Sequence, residues 1–142
     1  MLHQLLPTQE RVARTNPKLA PECQVGGCDK SREDLPHALV LCAGNDGVGS
    51  RMMSCLRQYC PNLEVEAALR LELDVDEVHQ LPLVWLVATV CSVVWKLRIE
   101  KSRVKLYDVR AQLEARINLL RETRISPNAT VLLDQFVATY FQ

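Results

Sequence analysis

Three cysteines and a histidine near the N-terminus, Cys23, Cys28, His37 and Cys42, read C-x4-C-x8-H-x4-C. Three thiolates and one imidazole form a complete tetrahedral ligand set for Zn²⁺. Gly26 and Gly27 stand between the first two cysteines, where a chain must turn sharply to aim both sulfurs at one ion. A centre closed by four protein ligands is structural rather than catalytic. His37 would bind as a neutral imidazole, its other ring nitrogen held by a carboxylate or carbonyl, with Asp34 one candidate. Six cysteines in 142 residues also produce such sets by chance, so the surrounding sequence has to decide.

Other chemistry is thin. Cys55, Cys60 and Cys91 fall in helical or apolar stretches and read as small buried hydrophobes rather than ligands. Nothing in the spacing pairs Cys55 or Cys60 with His79 or His3 for nucleophilic catalysis, and the chain is not expected to be an enzyme. Glycines in residues 43–50 come with no lysine and no preceding strand, so this loop is no phosphate cradle. The N-terminus lacks the apolar stretch of a secretory signal. An intracellular, reducing compartment is therefore the expectation, nucleus and cytoplasm not being distinguished.

Composition bounds the rest. Apolar residues make up 48% and aromatics 5%, which calls for an aliphatic core. The formal net charge is zero, which argues against whole-surface attraction to nucleic acid. The charge is uneven, however: residues 61–80 carry six acids against Arg70, and residues 96–124 carry nine Lys/Arg against four acids. The basic stretch, with Lys96, Arg98, Lys101, Arg103 and Lys105 at its head, is either a nucleic-acid face or a solvated face beside the acidic segment. Base stacking would need exposed aromatics; Trp85 and Trp95 lie in an apolar run, and Tyr59, Tyr107 and Tyr140 on expected apolar faces.

The elements that must position these residues are helical. Thr8 is placed to cap a short helix through Arg14. Asp34 to Leu41 suits a short helix carrying His37, ending before Cys42 because a spacing of five is about 1.4 α-helical turns. Asn45 or Asp46 would start the next helix, with Val48, Met52, Cys55, Leu56 and Tyr59 on one face and Cys60-Pro61 at its end. Asn62 would cap another. LDVDEVHQ reads as a polar break, with Pro82 in the first turn of the helix after it. From Leu83 to about Arg124 the pattern gives one long helix or two abutting ones. The first half is apolar all round and expected to be buried all round; the second has a stripe of Leu106, Val109, Leu113, Ile117 and Leu120. Arg110 and Glu114 form an i, i+4 pair. Ser126-Pro127 opens a last helix with Val131, Leu132, Phe136 and Tyr140 inward. Only Leu83 to Trp95 is densely apolar, shorter than the roughly 20 residues of a bilayer span. A core helix is therefore expected over a membrane span through 83–99, which stays as an alternative. The fold class is mainly α: a small zinc-stapled module (1–45) followed by a helical bundle (46–142).

The string LLPTQERVAR…PECQVGGCDKSREDLPHALVLC resembles the CCHC zinc-binding tail that follows the polymerase in non-LTR (LINE-type) retrotransposon reverse transcriptases. The segment AALRLEL…LPLVWLVATVCSVVWKLRIEKSRVKLYDVRAQLEARINLLRET is similar to the helical extension after that motif, so the likeness covers roughly residues 5–125. It places Cys23 and Cys28 on the family's first cysteine pair, Glu33, Asp34 and Leu35 on its acidic lead-in, and His37 and Cys42 on its last two ligands. The departure is C-x4-C where the family has C-x2-C. No Tyr-x-Asp-Asp-like motif is present, and a polymerase needs such carboxylates to hold its metal ions. The resemblance therefore implies a piece detached from the polymerase, with RNA or DNA as partner. The alternative is a helical packing remnant with a degenerate zinc site, docking on a polymerase domain or on itself.

Overall fold

The computed structural model describes residues 33–101, 103–123 and 126–142. Before these it describes Thr8, Ala13, Arg14, Asn16, Lys18, Pro21, Glu22, Cys23, Val25 and Cys28. The short helix expected from Thr8 lies largely outside the described residues, as do Gly26 and Gly27. Helices dominate, and no strand occurs among the described residues. After a π-helical turn at His37–Leu41 and a 3-10 turn at Ala43–Asn45 come α1 (Val48–Arg57), α2 (Val65–Leu69), α3 (Glu77–Lys101), α4 (Leu106–Thr123) and α5 (Pro127–Tyr140).

The helix α3 is the axis around which the others pack: it contacts the π turn, α1, α2, α4 and α5. Leu83, Leu86, Val87, Val90, Val93, Val94 and Leu97 supply its buried side. By length and composition α3 could cross a bilayer, yet half of its most apolar window is buried here against the other elements. It is not buried all round: Val78, Leu81 and Ile99 are largely exposed, and Trp85 and Trp95 sit half-buried at the edge of the core. The neighbours cover much of this 25-residue helix and leave Val78, Leu81, Ser92, Lys96 and Ile99 to solvent.

Two boundaries differ from the sequence reading. Asp76, in the expected polar break, accepts the His79 backbone N–H at 3.0 Å, so it caps α3 and starts it before Pro82. Pro82 therefore lies inside the helix. Asn62 does not cap α2; Glu64 precedes that short helix, with no side-chain cap.

The stripe on α1 holds, with Val48, Met52, Cys55 and Leu56 fully buried. On α4 the stripe holds through Val109, Leu113 and Ile117, and Arg110 pairs with Glu114 at 2.9 Å on the outside. On α5 Phe136 is buried as expected and Leu132 and Tyr140 pack half-buried against the core, but Val131 does not turn inward. Leu133, Phe136 and Val137, with Phe141 just beyond the helix, are buried, while Val131 faces solvent. The helix lies in the angle between α3 and α4, and that angle selects the Leu133–Phe136–Val137 face. Arg51 on α1 donates to the Tyr140 carbonyl at 3.0 Å, satisfying one of the carbonyls that a helix end leaves unpaired.

Candidate metal centre

The four sequence-predicted ligands converge. One donor atom from each of Cys23, Cys28, His37 and Cys42 lies within 4.8 Å of the others. The Cys23 and Cys42 sulfurs are 3.8 Å apart, and the Cys28 sulfur is 3.3 Å from His37 Nε2. A tetrahedral zinc with sulfur at about 2.3 Å and nitrogen at about 2.0–2.1 Å spaces its ligand atoms by roughly 3.5–3.8 Å. The two close pairs are near that spacing, and no two of the four donor atoms are more than 4.8 Å apart. Cys23, His37 and Cys42 are buried and Cys28 is half-buried. All six cysteines are free thiols, so no disulfide competes for the cluster.

Local backbone chemistry builds the arrangement in two halves. Glu33 donates its N–H to the Pro21 carbonyl at 2.9 Å, which brings the chain before Cys23 alongside the chain before His37. Cys28 N–H turns back to the Val25 carbonyl at 3.3 Å. The second half is the π turn. Asp34 accepts the His37 backbone N–H at 2.9 Å, a bond that caps the turn. Cys42 then donates its N–H to the His37 carbonyl at 2.8 Å, the five-residue closure of a π turn. An α-helical winding would carry Cys42 well past His37; the wider turn brings it back to the same side. The turn ends before Cys42, which is extended at φ −63°, ψ 125°.

Asn45, expected at a helix start, is instead fully buried. It donates Nδ2 to the Ala38 carbonyl at 2.7 Å and accepts from Arg98 Nη1 at 2.8 Å. The helix start falls to Gly47, at φ 72°. The neighbouring Asp46 also has positive φ, and its Oδ2 accepts the Leu106 N–H at 2.8 Å, capping α4 from far away in sequence.

Arg98 requires a correction. The sequence puts it among the basic residues of a nucleic-acid face, but it is buried and turned toward the cysteines. Its Nη2 donates to Glu33 Oε2 at 2.5 Å and to the Cys23 sulfur at 3.3 Å. Burial opposes its charge, but hydrogen bonds to Cys42, Cys23 and Glu33 and the attraction of Glu33 hold its pKa above the usual value. Burial pushes the Cys23 thiol up, against the Val25 N–H and Arg98, which pull it down; a bound cation would itself ionise the thiol.

The remaining basic candidates are spread around the α3–α4 connection. Lys96 and Arg103 are exposed, Lys105 is half-buried, and the Lys101 side chain lies outside the described residues. Tyr107, expected on an apolar face, is 71% exposed and stands two residues from Lys105. Cys55 and Cys91 are buried away from the cluster, each with its thiol pushed up to about 12 by desolvation. Cys60 is only half-buried and lies 3.6 Å from the Asp74 carbonyl.

Neither Arg98 nor Asn45 was legible as part of the site. Both come from outside the cysteine segment, and a buried arginine and an exposed one look alike in a basic run. Comparison with family models, with curated proteins and with solved structures returned no match.

Proposed function

We propose that this chain is a structural zinc module in which Cys23, Cys28, His37 and Cys42 hold one Zn²⁺ and fasten the N-terminal segment to the helical bundle. The observation that carries it is the convergence of the four donor atoms to within 4.8 Å, at separations that suit tetrahedral Zn²⁺. Three thiolates and an imidazole are a ligand set that zinc favours over magnesium or calcium. With four protein ligands the ion has no open position, so it shapes the chain rather than activating water. The module is of the kind that follows the polymerase in LINE-type reverse transcriptases, without polymerase activity of its own. Metal content of the purified chain, with and without His37, tests this reading.

Association with single-stranded RNA or DNA belongs to the same reading. It is favoured by one feature of the α3–α4 connection: an exposed Tyr107 four residues after the exposed Arg103 and two after the half-buried Lys105. A cationic group tracks phosphate while an open aromatic face stacks a base. Binding to a single-stranded oligonucleotide that weakens with salt and is lost on Tyr107→Ala would support it; no binding at low salt would remove it.

A further inference from the structure

Arg98 belongs to the basic stretch by sequence and to the cysteine cluster by position. Its side chain is 4% exposed and that of Glu33 9%. One guanidinium nitrogen reaches Cys23 and Glu33, and the other reaches Asn45. Asn45 in turn holds the Ala38 carbonyl, inside the turn between His37 and Cys42. Arg98 therefore touches the chain at the first ligand, just before the third, and just after the fourth.

The chemistry suits an arginine. A planar fork of donors with a permanent charge serves several acceptors at once, which an ammonium on a flexible stem does not do. Zn²⁺ with three thiolates carries a net negative charge. A charged donor at one sulfur stabilises the ionised ligand and fixes its direction, the role that outer-layer partners play at metal sites. Arg98 also stands one turn from the C-terminal end of α3, between the buried Leu97 and the exposed Ile99. The strut that reaches the metal ligands is thus part of the axis of the bundle.

We propose that Arg98 is a positioning residue of the metal centre. It directs and charge-stabilises the Cys23 thiolate and makes metal binding and the order of the last turns of α3 depend on each other. The inference rests on the four-residue cluster being a metal centre. Coupling of this kind is reciprocal: whatever Arg98 contributes to metal affinity, the metal returns to the stability of α3.

The test uses Co²⁺ as a spectroscopic probe in the full chain, comparing wild type, Arg98→Met and Arg98→Lys. Arg98→Met should weaken Co²⁺ binding about 10- to 100-fold. It should also move the thiolate-to-cobalt charge-transfer band to longer wavelength, because the sulfur has lost its charged donor. Arg98→Lys, which keeps the charge but not the fork, should fall between. A folded Arg98→Met with the wild-type band and affinity overturns the inference while leaving the metal centre intact. A wild type that binds no Co²⁺ overturns both. Should Arg98→Met not fold, hydrogen exchange of the wild type decides. Metal removal must speed exchange around Val94–Arg98, and unchanged exchange there overturns the coupling.

Discussion

A methyl group placed on Gly49 would stand 2.1 Å from the carbonyl oxygen of Val40 and 2.6 Å from its carbonyl carbon. That contact is backbone on backbone: the first turn of α1 rests directly on the π turn that carries His37 toward Cys42. Glycine is required there for want of a side chain. Gly49→Ala must push the two elements apart. The expected cost is about 1–3 kcal/mol, as for other overpacked sites, together with weaker metal binding because the displaced turn holds two ligands. Denaturant unfolding and chelator competition check both parts. A stability loss with unchanged metal affinity would mean that the π turn moves as a rigid piece with its ligands.

Alkaline pH should destabilise the fold through the two buried thiols. Cys55 and Cys91 titrate at about 12 in the folded chain against 9.0 when unperturbed. A raised folded pKa means that the native state keeps the proton longer than the unfolded state. The contribution is complete below pH 9.0 and is lost as pH rises from there toward about 12. The slope is at most about 1.4 kcal/mol per pH unit for each thiol. Burial also raises Tyr59 and Tyr140, with Cys55 adding to both, so their sign is the same. Urea midpoints measured at pH 8 and pH 10 should fall, with a smaller fall in Cys55→Ala. Alkylation of the native protein at pH 8 should spare Cys55 and Cys91.

Removal of Arg103 and of Tyr107 should have different signatures if the α3–α4 connection meets single-stranded nucleic acid. Arg103→Ala should reduce the slope of log affinity against log salt by roughly 0.7, as for one fewer phosphate contact on a single strand. Tyr107→Ala should cost about 1–3 kcal/mol of binding with the salt slope kept, because stacking carries no counterion release. Both side chains point outward, so neither change should alter the melting temperature. Fluorescence anisotropy at several salt concentrations makes the comparison.

The convergence of Cys23, Cys28, His37 and Cys42 was legible because thiolates and imidazole at turn-compatible spacing have few other uses. The stripes on α1 and α4 were legible because each helix buries one narrow face. On α5 Phe136 was legible, but the choice between Val131 and Leu133 was not: both are apolar, and only the packing of α5 against α3 and α4 chooses Leu133. Asp76 reads as part of a break, although Asp before Glu77 is a helix start signal; Pro82 draws the boundary too late. The contacts from Asp46 to Leu106 and from Arg98 to Cys23 span 60 and 75 residues. No local pattern announces a partner at that distance, and with the packing of the π turn on α1 and α3 they join the cysteine segment to the bundle.

Metal content shows whether the four converging side chains hold one zinc ion. The full chain, purified without chelator beside His37→Ala, should carry one zinc per molecule, and the variant should lose it. Absence of zinc from the wild type, or its retention unchanged in His37→Ala, would mean that these four side chains do not hold a zinc ion together.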